Sequence, residues 1–325
     1  MNSLFRTNDA RLQPSEPNTR FIAEQRSFGE YVLHTRKMLS EAHSKRADVD
    51  VEKIIEGNAP YELKPVTEHS SGQTKKYRRG ILLVHGLTDS PYFMRYLALF
   101  FQEQGFRVLA ILLPGHGTRP GDLLDVTWQE WAKAVAYGAD KLDEEVDEIY
   151  LAGFSVGGAL SVYQSLFDTR VRGLFLFSPA LKIASRAALA NIHKLYSWIM
   201  PPAKWVDIKP DSDLYKYESL TKNAVYQTYL LIKNLNAQLK SHPINIPVFT
   251  ASSMDDATVD TSATVQFMAS ASHSNNHLVL YGNDLEKQPE NFPAEKLNWE
   301  KVLKRPWLAD CAKNWVLKLR SANLS

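Results

Sequence analysis

A serine between two glycines, in Gly153-Phe154-Ser155-Val156-Gly157, is the part of the sequence best suited to chemistry. It follows the apolar run Ile149 to Phe154 and precedes a segment of helical period. Glycines leave room in a tight strand-to-helix turn, which presents the serine hydroxyl beside a helix amino terminus. A hydroxyl placed there is suited to attack on an acyl carbon, so we predict that Ser155 is a nucleophile. The simpler interpretation is a glycine-rich helix start with an incidental serine.

Acyl transfer also requires N–H donors for the oxygen that becomes negatively charged. His85-Gly86-Leu87 follows the apolar run Ile81 to Val84, and the N–H groups of Leu87 and Val156 are the candidates. We expect His85 to orient this loop by hydrogen bonding and assign it no proton transfer; alternatively it is a polar residue that ends a strand.

A carboxylate that orients a catalytic imidazole is expected after the apolar run Val248 to Ala251. Asp255, Asp256 and Asp260 are the candidates, and Asp260 precedes a helical segment as its N-cap would. The choice between Asp255 and Asp256 stays open on these residues alone.

The elements that position these residues alternate from residue 79 onward, as in βαβ units with a mostly parallel sheet. Strands are predicted over residues 81–84, 106–113, 149–154, 171–177, 248–251 and 278–281, and helices over 90–104, 127–142, 156–167, 261–270 and 307–319. Residues 283–305 are predicted to form a loop. Near the amino terminus, apolar residues at helical spacing from Phe28 to Ala42 indicate a helix packed on the domain surface.

Three parts of the chain are therefore expected. Residues 1–75 are an amino-terminal extension that is partly helical, and residues 76–181 and 247–325 form the core. Residues 182–246 are aromatic and irregularly helical, which is typical of a lid inserted in the sheet domain.

Four stretches together resemble the α/β-hydrolase superfamily, in particular its monoglyceride-lipase and bacterial carboxylesterase branch. They are His85-Gly86-Leu87-Thr88-Asp89-Ser90-Pro91, Leu113-Pro114-Gly115-His116-Gly117, Thr127-Trp128-Gln129-Glu130-Trp131 and the segment Gly153 to Gly157. The resemblance spans about residues 79–282. It implies a mostly parallel sheet flanked by helices with an inserted lid, and serine-dependent hydrolysis of acyl esters through an acyl-enzyme on Ser155. By this resemblance Asp256 is the orienting acid, because it precedes Thr258-Val259 and a helix start, and His116 lies in a loop that shapes the pocket mouth.

The sequence departs from the family pattern in one respect, because the family's catalytic histidine follows the last strand and no histidine follows His277. His277 precedes that strand, and His273 lies farther back. Three explanations are open. A histidine from elsewhere acts as the base, with His116 or His193 of the lid as the candidates; the strand assignment is wrong, although no shift creates a histidine after His277; or the protein has lost efficient hydrolysis and kept a pocket for binding. Thioester hydrolysis or acyl transfer would use the same residues.

Composition excludes several other classes of function. The 38 basic and 36 acidic residues give a net charge of +2 without a clustered basic face, so a nucleic-acid partner is not expected. The single cysteine, Cys311, forms no intramolecular disulfide and favours a cytoplasmic location. Charged residues near the start and the absence of a long apolar run indicate no signal peptide and no membrane span.

Neither a metal site nor a phosphate-binding loop is recognisable, so no cofactor is expected. The expected partner is a small acyl ester or lipid-like substrate, and the residues indicate no particular oligomeric state.

Overall fold

The computed structural model describes residues 9–15, 18, 20–21, 26–44, 46, 49–66, 76–183, 201–256, 258–282 and 299–303. Its strands are β1 (Tyr61–Leu63), β2 (Tyr77–Val84), β3 (Arg107–Ile111), β4 (Val146–Phe154), β5 (Val171–Phe177), β6 (Trp205–Asp207), β7 (Leu220–Thr221), β8 (Val248–Ser253), β9 (His277–Gly282) and β10 (Trp299–Leu303). Its α-helices are α1 (Phe28–His43), α2 (Val51–Asn58), α3 (Arg95–Glu103), α4 (Trp128–Asp143), α5 (Val156–Phe167), α6 (Lys222–Leu239) and α7 (Thr261–Ser270).

Eight of these strands form one central sheet in the order β1-β3-β2-β4-β5-β8-β9-β10. Seven of them are parallel, and β1 pairs antiparallel with β3 at one edge. The parallel strands place their carboxyl ends at the same edge of the sheet, where loops gather side chains from several strands. The predicted fold class, a mostly parallel sheet flanked by helices, is confirmed.

Helices cover both faces of the sheet because successive strand residues point to opposite sides. Leu82 and Val84 of β2 pack in a cluster with α4 and α5, whereas Ile81 and Leu83 pack in a second cluster with α3. Nearly continuous apolar strands are what a sheet buried on both faces requires.

Several predicted elements agree closely with the structure. The helices at 156–167 and 261–270 and the strand at 171–177 have the predicted bounds. The predicted helix at 90–104 begins instead as a 3₁₀ turn, Pro91–Met94, and becomes α-helical at Arg95.

Two edges of the sheet differ from the prediction. Residues 283–305 were expected to form a loop, but they contain β10, which pairs parallel with β9. The extension contains helices, as expected, and also supplies β1. β1 has three residues and β10 has five, with Glu300 and Lys301 in its middle, so neither strand has the long apolar run by which the central strands were predicted. The predicted helix at 307–319 lies outside the described residues.

Residues 201–246 of the predicted lid contain a two-stranded ribbon, β6 with β7, and the helix α6. Thr221 caps α6 by accepting a hydrogen bond from the N–H of Ala224. The buried face of α6 includes Leu231, Ile232 and Leu235, which pack in the cluster that contains α4 and α5. Across the described part of the chain, no helix is both long and apolar enough to cross a membrane.

Candidate active site

Ser155 lies at the turn between β4 and α5 and has a left-handed backbone conformation, with φ 52° and ψ −116°. This conformation is costly for a residue with a side chain. Besides the bonds that its carbonyl accepts within α5, two hydrogen bonds join it to β5 and the residues after β5. The N–H of Ser155 donates to the carbonyl of Phe177 at 3.0 Å, and its carbonyl accepts from the N–H of Ala180 at 2.9 Å. The turn is therefore fixed by the neighbouring strand β5 and the residues after it.

Glycines allow this turn to approach the sheet closely. A Cβ atom at Gly157 would lie 2.2 Å from the carbonyl oxygen of Val84, and one at Gly153 would lie 2.3 Å from the backbone of Gly157. Both distances are far below van der Waals contact, and the neighbouring atoms are backbone. Gly157 is thus required by the packing of α5 against β2, and Gly153 by the packing of α5 against β4.

The Ser155 hydroxyl makes no hydrogen bond to any other described residue, and the side chain is partly exposed. Next to it, Phe154 is 38% exposed, although it ends a buried strand. Its ring lies about 3.0 Å from where a Cβ atom at Gly86 would be. An exposed aromatic ring and an unengaged hydroxyl at the strand ends are suited to a substrate that has an apolar part.

The structure brings the two predicted oxyanion donors to neighbouring strand ends. Val84 pairs with Gly153, so Leu87 and Val156 follow adjacent parallel strands. Within the described ranges, the N–H groups of Leu87 and Val156 have no hydrogen-bond acceptor. The N–H of Val156 is also at the first position of α5, where the helix itself supplies no acceptor.

His85 is fully buried and fixes the relation between two loops. Its Nε2 accepts a hydrogen bond from the N–H of Leu113 at 3.0 Å, so its Nδ1 donates to the carbonyl of Gly86 at 2.8 Å. Burial, with a smaller effect of His116 nearby, lowers the pKa of His85 well below its usual value. These hydrogen bonds are the kind expected of a residue that orients the loop after β2.

His116 is also fully buried, with its ring centroid 4.9 Å from that of His85. Its Nδ1 lies 3.2 Å and 3.1 Å from the carbonyl oxygens of Leu113 and Pro114, to which it donates. Its Nε2 has no partner among the described residues, and burial lowers the pKa of His116 to about 4. No hydrogen bond joins His116 to Ser155 in this part of the chain, so the structure does not bring the two together as a base and a nucleophile.

The candidate acids follow β8. The carboxylate of Asp256 accepts hydrogen bonds from the N–H groups of Thr258 and Val259 at 2.8 Å and 2.9 Å. Asp255 is exposed, and its Oδ2 lies 3.1 Å from where a Cβ atom at Gly282 would be, beside the end of β9. Asp260 caps α7 by accepting from the N–H of Ser262, as predicted. Asp255 and Asp256 therefore both lie at the end of the sheet that carries Ser155.

His277 does not reach this end of the sheet. His277 is the first residue of β9 and stacks on Phe249, with ring centroids 6.2 Å apart. Gly282 at the other end of β9 lies about 16 Å away, at about 3.3 Å per residue. His193 lies outside the described residues.

The sequence analysis missed a group of residues that contact the loop after β2. Thr88 has a left-handed conformation with φ 65°, and its carbonyl accepts a hydrogen bond from the N–H of Tyr217 at 2.8 Å. Asp89 is 4% exposed and pairs with Lys216 at 3.2 Å. Local sequence gives no signal for these contacts, because their members lie about 130 residues apart in a segment predicted as lid.

A cavity of about 160 Å³ lies beside the Gly117–Pro120 loop. It is formed by the extension, that loop and residues 211–217, and its lining includes His43, Asn58, Arg119 and Tyr217. Ser155 does not line it, so this cavity is separate from the nucleophile turn. Among the described residues, no three metal-ligating side chains gather in one place.

Comparison with known proteins agrees with this architecture. The family model described as serine aminopeptidase, S33, matches residues 75–283. A thermostable monoacylglycerol lipase from Bacillus sp. (strain H-257) is 34% identical over 109 residues, which cover 34% of this chain and 44% of that protein. A carboxylesterase from Bacillus subtilis (strain 168) is 32% identical over 85 residues, covering 26% of this chain and 35% of that protein. The matched part thus spans less than half the length of these curated relatives.

One solved structure, from work on the metagenome-derived lipolytic enzymes LipS and LipT, has a TM-score of 0.60. The likeness covers 81% of this chain and 98% of that one at 18% identity, which shows a shared fold. With the family model matching well over half of the chain, this protein belongs to the α/β-hydrolase family described as serine aminopeptidase, S33.

Proposed function

We propose that this protein hydrolyses carboxylic esters with an apolar acyl group through an acyl-enzyme on Ser155. The observation that carries the proposal is the left-handed backbone of Ser155, held between β4 and α5. The proposed donors support it: Val156 directly follows Ser155, and Leu87 follows the adjacent strand, where Val84 pairs with Gly153. Strain at a residue with a reactive side chain and free donors nearby is typical of a functional site. The relatives named monoacylglycerol lipase and carboxylesterase support the same substrate class.

In the proposed reaction, the Ser155 oxygen attacks the acyl carbon and the carbonyl oxygen becomes an oxyanion that accepts hydrogen bonds from Leu87 and Val156. Collapse of this intermediate breaks the bond from the acyl carbon to the alcohol oxygen. The alcohol leaves with the proton lost by the Ser155 hydroxyl, and the acyl group stays on Ser155. Water then attacks the acyl carbon and gives one proton to the Ser155 oxygen, which releases the acid and restores the hydroxyl. Asp256 is the proposed orienting acid, with Asp255 as the alternative, and a cytoplasmic location remains part of the proposal.

The base that accepts the Ser155 proton is unassigned, because the described residues place no imidazole in hydrogen-bond reach of the hydroxyl. An oxyanion hole and substrate binding alone retain roughly 10³–10⁴-fold acceleration over the uncatalysed reaction in serine hydrolases that lack a triad member. A weak but serine-dependent activity is therefore compatible with this site. His116 is a less favoured base, and His116→Ala with unchanged activity would exclude it.

A second candidate function is binding without efficient hydrolysis, favoured by the absence of any histidine after His277. The same pocket would then hold an acyl ligand that is not turned over. Thioester hydrolysis and acyl transfer share the proposed acyl-enzyme, so they differ only in the leaving group or the acceptor.

The test is hydrolysis of p-nitrophenyl esters of increasing acyl length by wild type, Ser155→Ala and Ser165→Ala. Ser165 is a matched control in the same helix, since its hydroxyl donates to the carbonyl of Val162. We expect wild type and Ser165→Ala to hydrolyse at least one ester at least about 10-fold faster than Ser155→Ala. A fluorophosphonate probe should label Ser155. Equal background rates in all three proteins, without labelling, would favour the binding function.

A further inference from the structure

We propose that Lys216 and Tyr217 are positioning residues for the oxyanion donor Leu87. The inference rests on the proposed function and assigns a role to a segment that the sequence places in the lid. His85–Asp89 is called the oxyanion turn below, and Tyr215–Tyr217 is called the clamp segment.

The oxyanion turn has a conformation that its own residues disfavour. Thr88 is β-branched and has a positive φ of 65°, a region that such residues rarely occupy. Within the turn, the N–H of Asp89 donates to the carbonyl of Gly86 at 3.3 Å, which is a long bond. A strained residue persists only where surrounding contacts hold it, and Thr88 directly follows the proposed donor Leu87.

The clamp segment supplies two of those contacts. The N–H of Tyr217 donates to the carbonyl of Thr88 at 2.8 Å, which fixes the peptide group after the strained residue. The ammonium group of Lys216 lies 3.2 Å from the carboxylate of Asp89. That carboxylate is nearly inaccessible to water, and its second oxygen lies 2.5 Å from where a Cβ atom at Gly86 would be. Lys216 therefore holds the buried carboxylate against the start of the turn.

The clamp segment is itself anchored on both sides of the site. The Tyr217 hydroxyl accepts a hydrogen bond from the N–H of Thr118 at 2.8 Å, and its ring is parallel to that of His116. The Tyr215 ring stacks on Tyr92 with centroids 3.7 Å apart, and a Cβ atom at Gly57 would lie 2.3 Å from it. The segment thus bridges the loops after β2 and β3 and reaches α2 of the extension.

These contacts predict an effect on catalysis rather than on substrate affinity. An oxyanion donor acts on the charge that develops in the transition state, so a displaced donor lowers kcat more than it changes KM. Removing one such donor entirely lowers kcat by roughly 10²–10³-fold. Loosening the turn without removing the N–H of Leu87 should have a smaller effect, of about 10-fold.

The experiment compares Lys216→Met, which keeps the alkyl chain and removes the charge, with Lys216→Arg, which restores a cation. Lys209→Met is the matched control, because Lys209 pairs with Asp207 in the same region but between exposed side chains. Each protein is assayed for kcat and KM with the best p-nitrophenyl ester. Amide hydrogen exchange of the peptide that contains residues 85–92 is measured in parallel, below the melting transition of every variant.

We expect Lys216→Met to lower kcat about 10-fold with KM within about twofold, and to speed exchange in residues 85–92. Lys216→Arg should recover most of the kcat, and Lys209→Met should match wild type in both measurements. In the double variant Asp89→Asn with Lys216→Met, no unpaired carboxylate is left, but the contact that holds the oxyanion turn is still missing. The double variant should therefore keep the low kcat.

An unchanged kcat, or a change confined to KM, would overturn the positioning role even if exchange became faster. The proposed function fails separately, when wild type and Ser155→Ala are equally inactive. In that case only hydrogen exchange can test whether the clamp segment holds the oxyanion turn. Unchanged exchange in Lys216→Met would show that it does not.

Discussion

Buried histidines beside the nucleophile turn show how residue environment determines chemistry. His85 and His116 each donate one ring N–H to a backbone carbonyl, and neither is accessible to water. An imidazole in such a place stays neutral, because burial disfavours its charged form. Both residues shape the loops after β2 and β3, and in the described part of the chain neither hydrogen bonds to Ser155.

This burial makes stability depend on pH. The pKa of His116 lies at about 4 in the folded protein and about 6.5 in an unfolded chain. Between those values the unfolded state binds a proton that the folded state does not, so the free energy of unfolding falls as pH decreases from about 6.5 to 4. Over that whole window the expected loss from His116 is up to about 3 kcal/mol.

Urea unfolding at pH 7 and at pH 5 would measure this dependence in wild type and His116→Gln. The variant should lose less stability than wild type between the two pH values, because the neutral amide binds no proton. His242→Gln, at an exposed histidine, is the control and should behave as wild type. Equal pH dependence in wild type and His116→Gln would show that His116 is not held neutral by burial.

At the scale of elements, the position of α5 against the sheet depends on glycines. Gly157 lies where α5 comes close to β2, and only a hydrogen atom fits there beside the carbonyl of Val84. The same approach places the amino terminus of α5, and so the N–H of Val156, beside the loop after β2.

Gly157→Ala should destabilise the protein by about 1–3 kcal/mol, the usual cost of inserting a methyl group into a closed packing site. Ester hydrolysis should fall as well, because α5 must move away from β2. Gly29→Ala is the matched control, since Gly29 is in α1 and a Cβ atom there meets nothing within 4 Å. It should leave stability unchanged or raise it by up to about 1 kcal/mol. Thermal melts of Gly157→Ala and Gly29→Ala test this prediction. Equal melting temperatures of the two variants would contradict the close packing of α5 against β2 at Gly157.

At the scale of the whole molecule, the described part of residues 1–75 packs into the sheet domain. The carbonyl of Asn18 accepts a hydrogen bond from the N–H of Gly115, and the Asn18 amide donates to the carbonyl of His116 at 2.7 Å. Arg107 of β3 is buried and pairs with Glu62 of β1 and with Glu145. The extension therefore supports the loop that follows β3 as well as the edge of the sheet.

Tyr31 of α1 provides a direct test of this docking. Its buried hydroxyl accepts from the N–H of Leu112 at 3.0 Å and donates to the Leu112 carbonyl at 3.1 Å. Tyr31→Phe leaves both backbone groups without that partner, so we expect a loss of about 1–3 kcal/mol in urea unfolding at an unchanged m value.

Tyr96→Phe is the control for this change, because Tyr96 is 67% exposed, and it should stay within about 0.5 kcal/mol of wild type. If both variants were equally stable, the Tyr31 hydrogen bonds would contribute nothing to the docking of α1.

Local signals in the sequence determined the strand, turn and helix around Ser155, because apolar runs, glycines and helix caps act within about ten residues of one another. They also predicted the parallel sheet and the cap at Asp260. The roles assigned to Ser155, Asp256, Leu87 and Val156 stay predictions. Only the tertiary structure decided that Tyr61–Leu63 and Trp299–Leu303 extend the sheet and that Lys216 and Tyr217 contact the oxyanion turn. Those contacts join distant segments through backbone hydrogen bonds and a single ion pair, and such interactions leave no periodic pattern in the sequence.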